Sequence, residues 1–201
     1  MKKFNLAPCA DAGALCRKRP ERFAKANLFL LAFFAFAACV DLNAQNLPAT
    51  DASPMDIAWL PKNRQNPVAK VIYSRPAKKG RTMLGGTEAF GKVWRLGANE
   101  ATEIKLFKDV TIGDKLVKAG TYTMYAIPTE TEWTLIINTK LDTWGAYSYD
   151  EKLDVARIKV PVGKTDKEIE YFTIGFDDPQ GNTSTMNIAW ETTLVKVPLK
   201  F

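Results

Sequence analysis

From Met55 onward, apolar and polar positions alternate with a period of two. Met55, Ile57 and Trp59 alternate with Asp56 and Ala58, and Thr102, Ile104 and Leu106 with Glu103 and Lys105. Phe172, Ile174 and Phe176 alternate with Tyr171, Thr173 and Gly175; Met186, Ile188 and Trp190 with Thr185, Asn187 and Ala189; Val195, Val197 and Leu199 with Lys196 and Pro198. The run from Val68 to Tyr73 is rich in β-branched residues. Successive side chains of a strand point to opposite faces, so this pattern predicts half-buried strands. It assigns Trp59 and Trp94 to the core.

Turn residues separate the runs. Gly113-Asp114 lies between Val110–Ile112 and Lys115–Val117, a two-residue hairpin signal. Pro128-Thr129-Glu130 divides Thr121–Ile127 from Trp133–Asn138, and Asp178–Asn182 divides strands expected at 169–177 and 183–191. Repeated hairpins at this spacing predict an all-β fold, an antiparallel two-sheet β-sandwich, with jelly-roll and immunoglobulin-like topologies not distinguished. Helical turns are expected only near Gly85–Lys92 and Tyr149–Lys152.

The chain before Met55 differs. Residues 1–27 are basic overall, and an apolar run of about 13 residues follows from Leu28 to Val40, short of the roughly 20 that a membrane-spanning helix needs. A basic leader with a short apolar run predicts a signal peptide over 1–44, cut before Gln45. Phe36-Ala37-Ala38-Cys39 also resembles a bacterial lipobox, which would make Cys39 a lipidated N-terminus. Residues 45–54 read as a flexible tether and 55–201 as one domain. The expected location is outside the cytoplasm: periplasm, outer-membrane surface or extracellular space, with membrane contact only through the leader or a lipid anchor.

Composition narrows the chemistry. The chain has no histidine and three cysteines, Cys9, Cys16 and Cys39, all before the expected cut. The domain therefore lacks the residues of Ser-His-Asp and thiol–imidazole catalysis and of the common zinc sites. Any metal would need oxygen ligands; no cofactor is expected. The net charge of +6 resides mostly in the leader, so no nucleic-acid partner is expected.

Charged and glycine residues crowd one region beyond what strands need. It holds Tyr73-Ser74-Arg75-Pro76, Lys79-Gly80-Arg81, Gly91-Lys92-Val93-Trp94-Arg95 and Gly97-Ala98-Asn99-Glu100-Ala101-Thr102. With Ala119-Gly120-Thr121-Tyr122, Trp133, Asn138, Trp144-Gly145 and Tyr149-Asp150, these motifs resemble a family of secreted bacterial proteins described only as a domain of unknown function. The resemblance spans about Ser53 to Phe201. It implies an extracytoplasmic β-rich domain and carries no activity with it.

Two readings of the arginines stand. Arg75, Arg81 and Arg95 converge as a fork for a carboxylate, sulfate or phosphate, or Glu100 and backbone carbonyls satisfy them within the fold. Arg95, nearest Glu100, is the expected structural member, with Arg75 or Arg81 free to bind. The segment Asp142–Asp150 places Trp144, Tyr147 and Tyr149 among small polar residues, which suits a sugar ring or a plug at the end of the sandwich. Asp142, Asp150, Asp154 and Glu100 could serve two-carboxylate hydrolysis, although no spacing singles out a pair. Asp177–Asn182 reads as a turn and not as a calcium loop.

Together these features predict a binding module for an unknown small molecule, a carbohydrate or small anion, and favour binding over catalysis. The expected ligand-binding residues are Arg75, Arg81, Arg95, Asn99, Glu100, Trp144 and Tyr147. The alternatives are a structural or protein-interaction domain of the cell envelope and a carboxylate-based hydrolase.

Overall fold

The computed structural model describes residues 47–201; the leader, its cut and Cys39 lie outside them. The strands are β1 (Met55–Leu60), β2 (Ala69–Ser74), β3 (Glu103–Leu106), β4 (Val110–Ile112), β5 (Lys115–Val117), β6 (Gly120–Pro128), β7 (Glu132–Asn138), β8 (Asp154–Phe176) and β9 (Thr183–Lys200). One 3₁₀ turn, Glu151–Leu153, is the only helical element among the described residues. Every strand pairing is antiparallel.

The strands form one continuous nine-stranded sheet in the order β1-β2-β3-β6-β7-β8-β9-β4-β5, in place of two separate sheets. The long strand β8 makes the sheet continuous. Its first part pairs with β7, from Asp154 to Pro161, and its second with β9, from Val162 to Phe176. Register shifts between Lys164, Ile169 and Thr173 interrupt the second ladder, and such bulges bend a strand. The far end of β8 then meets the chain leaving β2: Phe172 N–H donates to Pro76 O at 2.9 Å, and Tyr73 Oη donates to Ile174 O at 3.0 Å. The sequence expectations place no strand over 154–168. Yet Ala156, Ile158 and Val160 are buried while Arg157 and Lys159 are exposed, a period-two run that continues into the expected strand.

A main core results. Side chains from all nine strands join its buried cluster. At its centre Trp94 stacks on Trp190 with ring centroids 5.8 Å apart, and meets Trp133 and Phe172 edge-on at 5.8 and 5.1 Å. The buried runs Ile104–Leu106, Phe172–Phe176, Met186–Trp190 and Val195–Leu199 face inward as their alternation predicts.

Strand β1 is the exception. Its core-facing residues are Ala58 and Leu60, while Met55 and Ile57 are 59% and 44% exposed and Trp59 is only partly buried. Trp59 is therefore not a core residue. The pairing of β1 with β2 sets Ala58 opposite Val71 and Trp59 opposite Lys70, and a register of period two leaves no other choice once Val71 faces inward.

Candidate functional site

The crowded motif has a local backbone explanation. Trp94 and Ala126 exchange N–H···O bonds of 2.8 and 2.9 Å, so the chain first runs along the edge of β6. It then leaves the edge and returns at Thr102, whose carbonyl accepts from Met124 N–H at 2.7 Å. Between these points Leu96 and Asn99 adopt φ values of 57° and 58°, and Gly97 one of 153°. A Cβ at Gly97 would stand 2.9 Å from the Ser74 carbonyl oxygen, so only glycine fits. The excursion is closed from inside: Trp94 Nε1 donates to Gly97 O at 3.1 Å, Thr102 Oγ1 to Leu96 O at 2.5 Å and Thr102 N–H to Arg95 O at 3.1 Å.

The three arginines do not share a cleft. Arg75 reaches across to the end of β8, where Nε donates to Phe172 O at 3.2 Å, Nη2 to Thr173 Oγ1 at 2.9 Å and Nη1 to Asp56 Oδ2 at 3.1 Å. Arg81 folds back on its own turn, with bonds of 3.0 Å to the Lys78 and Ala77 carbonyls. Arg95 is half-buried, and its Nε has no hydrogen-bond partner. Glu100 is exposed and pairs with none of the three among the described residues. Arg75, and not Arg95, is thus the arginine most tied into the fold. Arg75→Ala is expected to cost about 1.5–3 kcal/mol, the loss of charge-assisted bonds across two strands, whereas Arg81→Ala, in an exposed turn, should stay within about 0.5 kcal/mol. Urea melts of the two variants measure the difference.

The Arg95 charge acts on Glu88. Burial holds the Glu88 carboxyl above its ordinary range, and the Arg95 charge offsets part of that rise. A folded pKa above the unfolded one means that, between the two, the folded chain binds more protons. This group's contribution to stability therefore rises as pH falls through that window and is smallest above it. Glu88→Gln should be at least as stable as the wild type near neutral pH, with the difference shrinking on acidification towards the ordinary carboxylate range. Denaturant melts at a series of pH values check this; a difference that grows on acidification contradicts it.

Asn99, Glu100 and Trp144 do come together. Glu100 and Trp144 form a β-bridge, Ala101 N–H donates to Thr143 O at 2.9 Å and Gly145 N–H to Asn99 O at 3.0 Å. The three residues line a groove of about 220 Å³ with Asp51, Ser53, Met55 and Ser74. A neighbouring pocket of about 200 Å³ shares Met55 and Glu100 and adds Glu103, Asp142 and Thr143. Asn99 Nδ2 donates to Asp51 Oδ1 at 3.1 Å. The indole of Trp144 is 61% exposed, so it does not plug the core. Tyr147 is 88% exposed and stands over Gly145, outside both linings.

The loop that presents Trp144 is anchored at both ends. Tyr125 Oη and Thr143 Oγ1 lie 2.9 Å apart in a small second core, and Tyr149 packs edge-on against Tyr125 at 5.1 Å. Tyr149 Oη donates to Asp154 Oδ2 at 2.6 Å and accepts from Arg157 at 3.0 Å. Burial and this bond to a carboxylate push the Tyr149 hydroxyl up to about 12. Asn138 Nδ2 binds Asp154 Oδ1 at 2.8 Å and the Asp150 carbonyl at 3.0 Å. Asp154 is thereby committed to the fold, and the Asp150 carboxylate caps the 3₁₀ turn. Of the candidate hydrolytic carboxylates, only Asp142 and Glu100 line the pockets.

Two features escaped the sequence reading. Glu191, at φ 55°, accepts from Met83 N–H at 2.8 Å and Leu84 N–H at 3.1 Å and so holds the 82–88 turn; an acid in a strand-like run carries no signal of such a distant partner. Glu103 reaches the pocket because its strand turns it outward beside Asp142, whose N–H it accepts at 3.3 Å. Among the described residues, no cluster of three or more acidic, histidine or cysteine side chains could hold a metal ion.

No curated protein and no solved structure matches the chain. One family model does, over residues 57–199, which takes in every described strand nearly whole and both the arginine motif and the Trp144 loop. The chain belongs to the family described as "Protein of unknown function (DUF2911)".

Proposed function

We propose that this domain is an extracytoplasmic binding module whose ligand is a carbohydrate, seated in the groove beside Trp144. The observation that carries the reading is Trp144, left 61% exposed on a loop held at one end by a buried and at the other by a part-buried hydrogen bond. A rigid aromatic face covers the C–H patch of a sugar ring at low entropic cost, while neighbouring polar groups take its hydroxyls. Asn99 and Glu100 are in position to do so. A small anion suits this groove poorly, because its charged lining residues are carboxylates and the arginines are directed elsewhere. The extracytoplasmic location rests on the basic leader and short apolar run alone.

Trp144→Ala is expected to leave the melting temperature within a few degrees, because little apolar area is lost from the core, and to abolish binding on a panel of neutral oligosaccharides. Retained binding by a folded Trp144→Ala variant, or no glycan bound by the wild type, defeats the reading. A second reading is favoured by the three carboxylates Glu100, Glu103 and Asp142 around one pocket: hydrolysis of the bound glycan by a pair of them. Glu100→Gln and Asp142→Asn distinguish it, since a hydrolase would lose turnover in these variants and keep binding.

A further inference from the structure

We propose a second ligand site on the outer sheet face, around Trp59, that binds an acidic saccharide, a sugar ring carrying a carboxylate or sulfate. Three side chains lie in one row across the first three strands: Trp59 opposite Lys70, and Lys70 opposite Lys105. All three point outward. Like charges directly opposite each other on neighbouring strands destabilise a sheet, yet among the described residues neither lysine pairs with a carboxylate. The same holds for Arg64, in the exposed turn after β1. Glu103 stands two residues from Lys105 on the same face of β3, and Asp178 faces Lys62 at 3.3 Å.

These cations are gathered on aromatic rings. Arg64 Cζ is 5.4 Å and Lys70 Nζ 5.5 Å from the Trp59 ring centre, and Lys105 Nζ is 5.1 Å from that of Phe107. The two rings are nearly parallel, with centroids 6.1 Å apart. Cation–π contacts occur about once per 70–80 residues, so three on one ring pair mark a concentration of positive charge on an apolar base. Beside Trp59 a groove of about 270 Å³ is lined by Ile57, Lys62, Arg64, Gly175 and Phe176, among others; Lys70 and Lys105 do not line it but flank Trp59 from β2 and β3. It is concave and short. A sugar ring or two fits such a space, whereas nucleic acid needs an extended basic track and a lipid surface needs a projecting apolar edge. The anion supplies the counter-charge that the lysine pair lacks, and the indole supplies the apolar contact. The Trp59 groove shares no lining residue with the pockets beside Trp144.

The experiment is calorimetric titration of the folded domain, at low and at moderate salt. The probes are a uronic-acid oligosaccharide, a sulfated oligosaccharide, a neutral oligosaccharide of the same length, inorganic sulfate and anionic phospholipid vesicles. One or both acidic oligosaccharides should bind at least about tenfold tighter than the neutral one, and salt should weaken them. The double variant Lys70→Gln/Lys105→Gln should lose about tenfold, with its melting temperature unchanged or raised, and Trp144→Ala should retain the acidic ligand. Arg64→Gln, in an exposed turn, tests the same site without touching the sheet and should weaken binding severalfold. Equal affinity for neutral and acidic oligosaccharides overturns the proposal. So does equal or tighter binding of sulfate ion or vesicles, and so does full binding by both folded lysine and arginine variants.

Discussion

Replacing Trp94 by alanine is expected to remove about 3–5 kcal/mol of stability, a large share of the roughly 5–15 kcal/mol that a domain has. Trp94 is 3% exposed and touches three other aromatic rings, Trp133, Phe172 and Trp190, which come from β7, β8 and β9. Its removal leaves a cavity where these strands meet, and rings of that size cannot collapse to fill it. It also removes the indole N–H that the Gly97 carbonyl accepts inside the excursion, and with it one of the bonds that keep Leu96 and Asn99 at positive φ. Equilibrium urea melts measure the loss. A variant destabilised by less than about 1 kcal/mol would mean that the aromatic cluster is not the centre of the core. The comparison with Trp144→Ala is informative because the residue type is the same: burial alone separates a tryptophan that holds the fold from one offered to solvent.

Glu191→Ala is expected to cost about 2–3 kcal/mol, although the residue reads as an ordinary surface acid. Its carboxylate is the acceptor for two successive backbone N–H groups, Met83 and Leu84, whose residues are 2% and 8% exposed. Hydrogen bonds to a charged partner contribute about 1.5–3 kcal/mol, and orphaned buried donors keep their desolvation cost. Glu191 also stands at φ 55°, a region unfavourable for any residue with a Cβ. Glu191→Gly should therefore recover part of the loss, by about 1 kcal/mol, because glycine removes the strain but not the missing bonds. Amide hydrogen exchange at Met83 and Leu84 should accelerate in both variants. Unchanged protection there would refute the clamp, whatever the melts give.

The arginine motif illustrates how charge counts mislead. One acid among three arginines suggests donors to spare, and sequence proximity pairs Arg95 with Glu100. In the folded chain Arg75 instead finds its partners about a hundred residues later, at Phe172 and Thr173. Backbone carbonyls, invisible as signals in a sequence, satisfy Arg81. Arg64, Lys70 and Lys105 are among the cations without a carboxylate partner, and each looks unremarkable by itself. Only the strand pairing sets Lys70 against Lys105 and brings both beside an aromatic ring.

What the sequence determined by itself is the local part of this protein. The all-β antiparallel character, the hairpin at Gly113-Asp114, the inward faces of β3 and β9 and the turn at Asp178–Asn182 follow from period-two burial and from turn residues. Both act over a few neighbouring positions. The tertiary structure decided whatever depends on which strands meet. It joined two expected sheets through β8, because a bulged strand can serve a different neighbour along each half of its length. It turned Met55, Ile57 and Trp59 outward, because an apolar alternation names two faces but not which is buried; at an edge strand the register with Val71 chooses. It separated Trp94 from Trp144, and gathered Asn99, Glu100 and Asp142 in adjoining pockets, because proximity across the chain is created by backbone pairings that no single residue encodes.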